Sequence, residues 1–127
     1  MLTFSPGMSR ARQSLGKMGE DLACRELERR GYVIVARRYR RRGGELDIIA
    51  RHGAALVFVE VKARNGAAFG NGAEAVGPLK RRRMVSVAID YMARHRLRDC
   101  PCRFDVVSIV LGGREPAIEV YQNAFDV

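Results

Sequence analysis

Asp47, Glu60 and Lys62 are charged residues set into apolar runs, and their types and spacing suit the handling of a phosphate. Asp47 interrupts Leu46–Ala50 and Glu60 interrupts Leu56–Val61; twelve residues separate the acids, and one separates Glu60 from Lys62. An acid in such a run either faces water or is held by something. Two carboxylates brought to about 4 Å repel by roughly 4 kcal/mol at an effective dielectric near 20. A fold that joins them therefore needs a cation, a shared proton or a nearby base. Lys62 is one candidate. A hard divalent ion, Mg2+ or Mn2+, is another, because such ions take oxygen ligands and keep waters for substrate oxygens. Lys62 could in turn orient or deprotonate a water, or steady charge on a phosphate.

Whether the acids meet depends on the elements that carry them. Both runs are rich in β-branched residues, and Arg51-His52-Gly53-Ala54 between them reads as a hairpin connection. Side chains alternate faces along a strand, so Glu45, Asp47 and Ile49 share one face, and Phe58, Glu60 and Lys62 share one face of the next strand. Pairing Ala50 with Ala55 sets Asp47 opposite Phe58, with Glu60 diagonal to it. Any pairing whose residue numbers sum to an odd value keeps both acids on one face, whereas a slip of one residue separates them. The bland alternative is a half-solvated strand with Glu60 and Lys62 turned to water. Leu56 and Phe58 on the same face argue that this face is covered.

With 127 residues, 47% hydrophobic and 29% charged, the composition is that of one globular domain with a real core. Residues 1–13 read as a disordered basic lead and 14–127 as a single domain. The first residues lack the apolar stretch of a secretory signal, and no run is long enough to span a membrane. A formal charge of +9 favours a polyanionic partner such as nucleic acid. Three cysteines make no disulfide framework and point to a reducing compartment, the cytoplasm. Cys100-Pro101-Cys102 near His95 lacks the four spaced ligands of a closed zinc site.

Ser14–Arg30 reads as a helix, capped by Ser14 and closed by Gly31. Its apolar arc carries Leu15, Met18, Leu22, Ala23 and Leu27, with Gly16 and Gly19 inside it and Glu20 at its edge. Two glycines there make sense against a closely packed sheet, which would leave Glu20 either half-buried beside the hairpin or at a surface edge. Tyr32–Ala36 reads as a strand followed by a basic run. Within that run Arg38, Arg40, Arg41 and Arg42 surround Tyr39 and are candidates for phosphate contact or base stacking, or form a solvated edge. Asn65–Gly77 reads as a glycine-rich loop able to close over a substrate. A helix follows over Pro78–Arg94. Its first turn carries Lys80 and Arg81, cations that oppose the helix dipole and so call for a nearby anion. Phe104–Val110 and Ala117–Tyr121 read as strands. The order α-β-β-β-α-β-β, with a helix between the third and fourth strands, predicts an α/β fold with a mixed sheet.

Gly16-x-x-Gly19-Glu20, Gly31-Tyr32, Gly44-Glu45-Leu46-Asp47-Ile48-Ile49, Phe58-Val59-Glu60-Val61-Lys62-Ala63-Arg64, Lys80 and Arg103-Phe104-Asp105-Val106-Val107 together resemble the bacterial YraN-like family. That family is similar to archaeal Holliday-junction resolvases of the restriction-endonuclease-like superfamily, and the resemblance covers about residues 14–123. It implies an αβββαβ core, a mixed central sheet flanked by helices, and a metal-dependent phosphodiesterase. Asp47 and Glu60 would be metal ligands, Lys62 the catalytic lysine, and Glu20 an assisting acid, directly or through water. Leu46 stands where the superfamily motif has proline, which removes no ligand. The expectation is an Mg2+- or Mn2+-dependent endonuclease acting on nucleic acid, DNA before RNA, with structured or branched DNA as a candidate substrate. Arg38, Arg40, Arg41, Arg42, Arg64, Lys80 and Arg81 would hold its backbone. Junction cleavage would imply a homodimer. The alternatives are a non-catalytic nucleic-acid-binding module and a protein scaffold.

Overall fold

Five runs of β-branched and aromatic residues and two amphipathic stretches become one sheet and two helices. The computed structural model describes residues 6–66 and 76–126. Along the chain lie α1 (Pro6–Arg29), β1 (Val33–Arg41), β2 (Gly44–His52), β3 (Ala55–Asn65), α2 (Pro78–Arg94), β4 (Cys102–Leu111) and β5 (Ala117–Tyr121). This is the element order expected from the sequence. The sheet order is β1-β2-β3-β4-β5. Neighbours are antiparallel except β3 and β4, which are parallel because α2 carries the chain between them. The fold is therefore mixed α/β, with a helix on each face. Ala23, Cys24 and Leu27 of α1 pack on Ile48, Val57 and Val107. Met84, Val87 and Tyr91 of α2 pack on Leu46, Phe58 and Phe104.

Several boundaries differ from expectation. α1 begins at Pro6 instead of Ser14, taking in residues 6–13 of the expected lead. Alanine, arginine and glutamine there are good helix formers, and residues 8–15 contain neither glycine nor proline. Met18 is 51% exposed and does not join the core. β1 extends to Arg41 and absorbs the basic run, pairing Arg40 with Glu45 and Arg41 with Gly44. Residues 67–75, most of the expected closing loop, lie outside the described residues. At the far end of α1, Gly31 has φ +94°. Tyr32 N–H reaches Leu27 O at 2.9 Å and Gly31 N–H reaches Glu28 O at 3.0 Å, a Schellman closure. Among the described residues no helix is long and apolar enough to cross a membrane.

The two α1 glycines have opposite surroundings. A Cβ on Gly19 would lie 2.5 Å from Ala63 Cβ on β3, whereas one on Gly16 would meet nothing within 4 Å. Gly16→Ala should stabilise the fold by about 0.5–1 kcal/mol through helix propensity. Gly19→Ala should destabilise it by about 1–3 kcal/mol through overpacking. Urea unfolding of both variants checks the opposite signs.

The strand register carries the site. Ala50 pairs with Val57, not Ala55, since His52 pairs with Ala55 around a two-residue turn at Gly53-Ala54 in which Gly53 has φ +60°. The sums stay odd, at 107 from Ile48↔Val59 to His52↔Ala55. Strict alternation does not survive along β2, however. Leu46 and Ile49 both face α2 while Ile48 faces α1. The paired strand shows the same break, with Ala36 and Tyr39 both toward α2 and Arg38 at φ +52° between them. Asp47 sits at this irregularity and so does not simply share a face with Glu45 and Ile49.

Candidate active site

Glu60 is the deepest of the expected site acids. Burial of β3 on both faces leaves it 4% exposed between Val59 and Val61. Carried one step beyond Ile48↔Val59, the register sets Asp47 directly opposite Glu60 instead of opposite Phe58. The ladder stops before that pair, and Asp47 Oδ2 accepts a hydrogen bond from Val61 N–H at 2.8 Å. Burial pushes the Asp47 carboxyl up to about 8, reinforced by the charge of Glu60 and a hydrogen bond between the two carboxyls. The Val61 N–H and Lys80 pull the other way. The two acids thus meet, and Asp47 holds its proton well above the ordinary carboxylate range, which eases their repulsion.

The cation at this pair comes from α2. Lys80 Nζ lies 3.2 Å from Glu60 Oε2. A cation in the first turn of a helix is disfavoured by the dipole, and Glu60 is the anion that offsets this. Lys62 lies two residues beyond Glu60 on the same side of β3, half-buried and opposite Ser108 of β4. The chain has only three lysines among twenty-three basic residues, and two of them bracket Glu60. Arg64 follows on the same side, and its buried Nε has no hydrogen-bond partner among the described residues.

Glu20 belongs to the other face. It is 6% exposed and accepts from Arg37 Nε at 2.9 Å and Arg38 Nε at 3.2 Å. Arg37 also donates to Asp21 Oδ1 at 2.6 Å, a bond that raises the guanidinium's affinity for its proton. Among the described residues no three His, Cys, Asp or Glu side chains gather as a metal site. Asp47 and Glu60 come together, while Glu20 is held by arginines.

The basic candidates divide. Arg38 serves Glu20. Arg40 pairs with Glu45, which gives that acid a partner, and Arg41 pairs with Asp90. Arg81 Nε donates to Val76 O at 2.8 Å, with its guanidinium 5.3 Å from the Phe125 ring centre. Arg42 is exposed, with no ion pair among the described residues.

A second buried polar centre went unassigned in the sequence. Asp105, fully buried in β4, accepts from Tyr32 OH at 2.7 Å and Arg103 Nε at 3.0 Å. Tyr32 OH itself accepts from Arg103 Nη2 at 3.0 Å and Gln122 Nε2 at 3.1 Å. An acid inside Phe104-Asp105-Val106-Val107 was the available signal, since a carboxylate in a strand buried on both faces needs partners. The cluster ties α1's exit to β4 and the chain beyond β5. Tyr32→Phe should cost about 1–3 kcal/mol by leaving Asp105 underbonded, read from the urea midpoint.

The sequence model of a family described as "Uncharacterised protein family UPF0102" matches residues 19–109, which include Glu20, Asp47, Glu60 and Lys62. Among curated proteins, a UPF0102 protein of Geobacter metallireducens is 45% identical over 120 residues, covering 94% of this chain and 98% of the relative. One from Anaeromyxobacter dehalogenans is 46% identical over 115 residues, covering 91% and 86%. One from Parafrankia is 47% identical over 100 residues, covering 79% and 85%.

Proposed function

The chain belongs to the uncharacterised protein family UPF0102, and from that premise we propose a metal-dependent nuclease that hydrolyses phosphodiester bonds in nucleic acid. The architecture we assign is restriction-endonuclease-like, akin to the archaeal junction resolvases, with DNA, structured or branched, as the substrate class. One observation carries the reading: a carboxyl pair, half-buried Asp47 against buried Glu60, with Lys80 at 3.2 Å from Glu60 and Lys62 two residues along the same strand. Such a pair is costly for a protein that only binds phosphate, since it repels the ligand.

The donor set fits a hard divalent ion, because two carboxylates offer oxygen ligands and their mutual repulsion is relieved by a cation. Mg2+ or Mn2+ held by Asp47 and Glu60 would polarise the scissile phosphate and acidify a water. The remaining roles fall to the chain itself. To hold the ion, Asp47 would have to give up its proton. Lys62 Nζ, without an ion pair among the described residues, orients the attacking water or steadies a phosphate oxygen. Lys80 balances Glu60. Glu20, held on the α1 face, would assist through water once it exchanges Arg38, the longer of its two contacts. A cytoplasmic setting and a two-fold dimer for junction cleavage complete the proposal.

The test is a panel of linear, flapped and four-way DNA and matching RNA, with Mg2+ or Mn2+ and with a chelator. Cleavage in metal and none in chelator supports the reading; no cleavage of any substrate at high metal rejects it. A non-catalytic binding module draws support from one observation, the capture of Glu20 by Arg37 and Arg38, which leaves only two acids together. Binding across the panel without cutting would favour it.

A further inference from the structure

We propose that a cleft between the β1–β2 turn and α2 is a second binding site, for the phosphodiester backbone of nucleic acid, that anchors the strand away from the acid pair. It rests on the nucleic-acid reading above. The cleft has a volume of about 550 Å3, and its lining includes Arg41, Arg42, Gly43, Ser86, Asp90 and Arg94. Arg40 joins them from β1.

Three of the four arginines, Arg40, Arg41 and Arg94, are preorganised with donors left over. Arg41 and Arg94 contact Asp90 Oδ2 through Nε, at 3.0 Å and 3.1 Å. Arg40 contacts Glu45 Oε1 through Nε at 3.1 Å. The two carboxylates therefore fix the roots of three guanidinium groups, while the terminal Nη groups, without an ion pair among the described residues, remain for phosphate oxygens, the fork that matches an oxyanion. Tyr39 OH holds Asp90 Oδ2 at 3.1 Å. Four arginines stand against Asp90 and Glu45, so two positive charges remain uncompensated. On the floor, a Cβ on Gly43 would lie 3.2 Å from Ser86 Oγ, so backbone and a hydroxyl are presented in place of a larger side chain.

The helix connects this cleft to the acids. Lys80, Arg83, Ser86, Asp90 and Arg94 recur at three- and four-residue steps and so form one stripe along α2. The stripe starts at Glu60 through Lys80 and ends in the cleft. Fourteen residues of helix rise span about 21 Å, room for several phosphates. On the facing strand, Gly44 lies three residues from Asp47, about 10 Å, or about three base steps of a duplex. A strand lying along the stripe would meet the acids at one end and the arginine cleft at the other.

The experiment measures binding of a labelled duplex and a labelled single strand over a salt series without metal, in the Asp47→Asn background so that nothing is cut. Adding Arg42→Ala and Arg94→Ala should weaken binding at least about tenfold and lower the log–log salt slope by about 2, one unit per lost phosphate contact. Arg25→Ala with Arg51→Ala removes the same charge elsewhere and should change affinity less than about twofold. Arg42→Lys with Arg94→Lys should recover most of the slope but not all the affinity. Ser86→Asp, which leaves every arginine in place, should weaken binding similarly. Unchanged affinity and slope in the cleft variants overturn the proposal, as does equal weakening by the control pair, which would reduce the effect to net charge. If the background protein binds no nucleic acid, the functional reading falls with it; if it binds and the cleft variants match it, only the anchor falls.

Discussion

Asp47→Asn is expected to abolish cleavage while making the metal-free protein more stable at neutral and alkaline pH. Loss of activity should be at least about 100-fold, the scale for removing one group that stabilises developing charge. The stability change follows from proton linkage. The folded Asp47 value near 8 lies above the approximately 3.9 of an unfolded chain. The folded state thus holds the proton more tightly. Its stabilising contribution is complete below about pH 4, declines as pH rises with a slope of up to about 1.4 kcal/mol per unit, and is gone above about pH 8. Asparagine removes that decline. Its side-chain oxygen still accepts the Val61 N–H, and its amide donates to Glu60 in place of the protonated Asp47 carboxyl. The variant should exceed wild type by on the order of 2 kcal/mol at pH 8 and match it more closely near pH 5. Denaturation at pH 5 and pH 8 checks both halves. A variant less stable than wild type at pH 8 would mean that the pair is not strained.

The two lysines should separate by the quantity each one changes. Lys62 makes no ion pair among the described residues, so Lys62→Met should leave stability within about 0.5 kcal/mol. Cleavage should nevertheless fall by about 10²–10⁴-fold, the range for a group that handles a proton in the transition state. Nucleic-acid binding should be largely spared. Lys80→Met does the reverse. Glu60 is 5% exposed at its side chain and loses its partner, whereas Lys80 is 42% exposed. Breaking a fully buried pair costs about 3–5 kcal/mol, but the lysine end of this one is screened by water, and about 1–2 kcal/mol is expected. Lys80 also lowers the Asp47 value, so its removal should extend the pH decline to higher pH. Rate constants and urea midpoints on both variants decide the assignment. Lost turnover with full stability in Lys80→Met would transfer the reacting role to Lys80.

Much of this was legible in the sequence because it depends on local periodicity. The element order, the Gly31 closure, the α2 boundaries and β5 follow from alternation, glycine placement and the proline at Pro78. The odd parity of the hairpin was only a wager, which the register bears out; local pattern could not decide it, since Ile48 and Ile49 point to opposite faces and both are buried. What escaped depended on contacts between elements. The face of Asp47 follows from a break in alternation shared by β1 and β2, marked by the positive φ of Arg38, an arginine with nothing in its local sequence to announce it. The capture of Glu20 depends on which face of β1 the arginines leave from, and a run of five arginines around one tyrosine does not specify that. Lys80 was legible as a cation in need of an anion, but the identity of that anion as Glu60 required the crossover helix to be laid over β3. Asp105 was visible as an acid in an apolar strand, yet its partners Tyr32 and Arg103 lie one at the end of α1's closure and one two residues before it.

The central claim is that Asp47 and Glu60 form a strained acid pair whose strain a divalent cation relieves. It is tested most directly by melting temperature against Mn2+ concentration at pH 7.5, for wild type and Asp47→Asn, with no substrate required. At tenfold excess over its dissociation constant the ion should add about 1.4 kcal/mol, or about 5 °C, to the wild type. Asp47→Asn should start higher and respond little. A wild type that does not respond at millimolar Mn2+, or a variant that responds equally, would contradict the account.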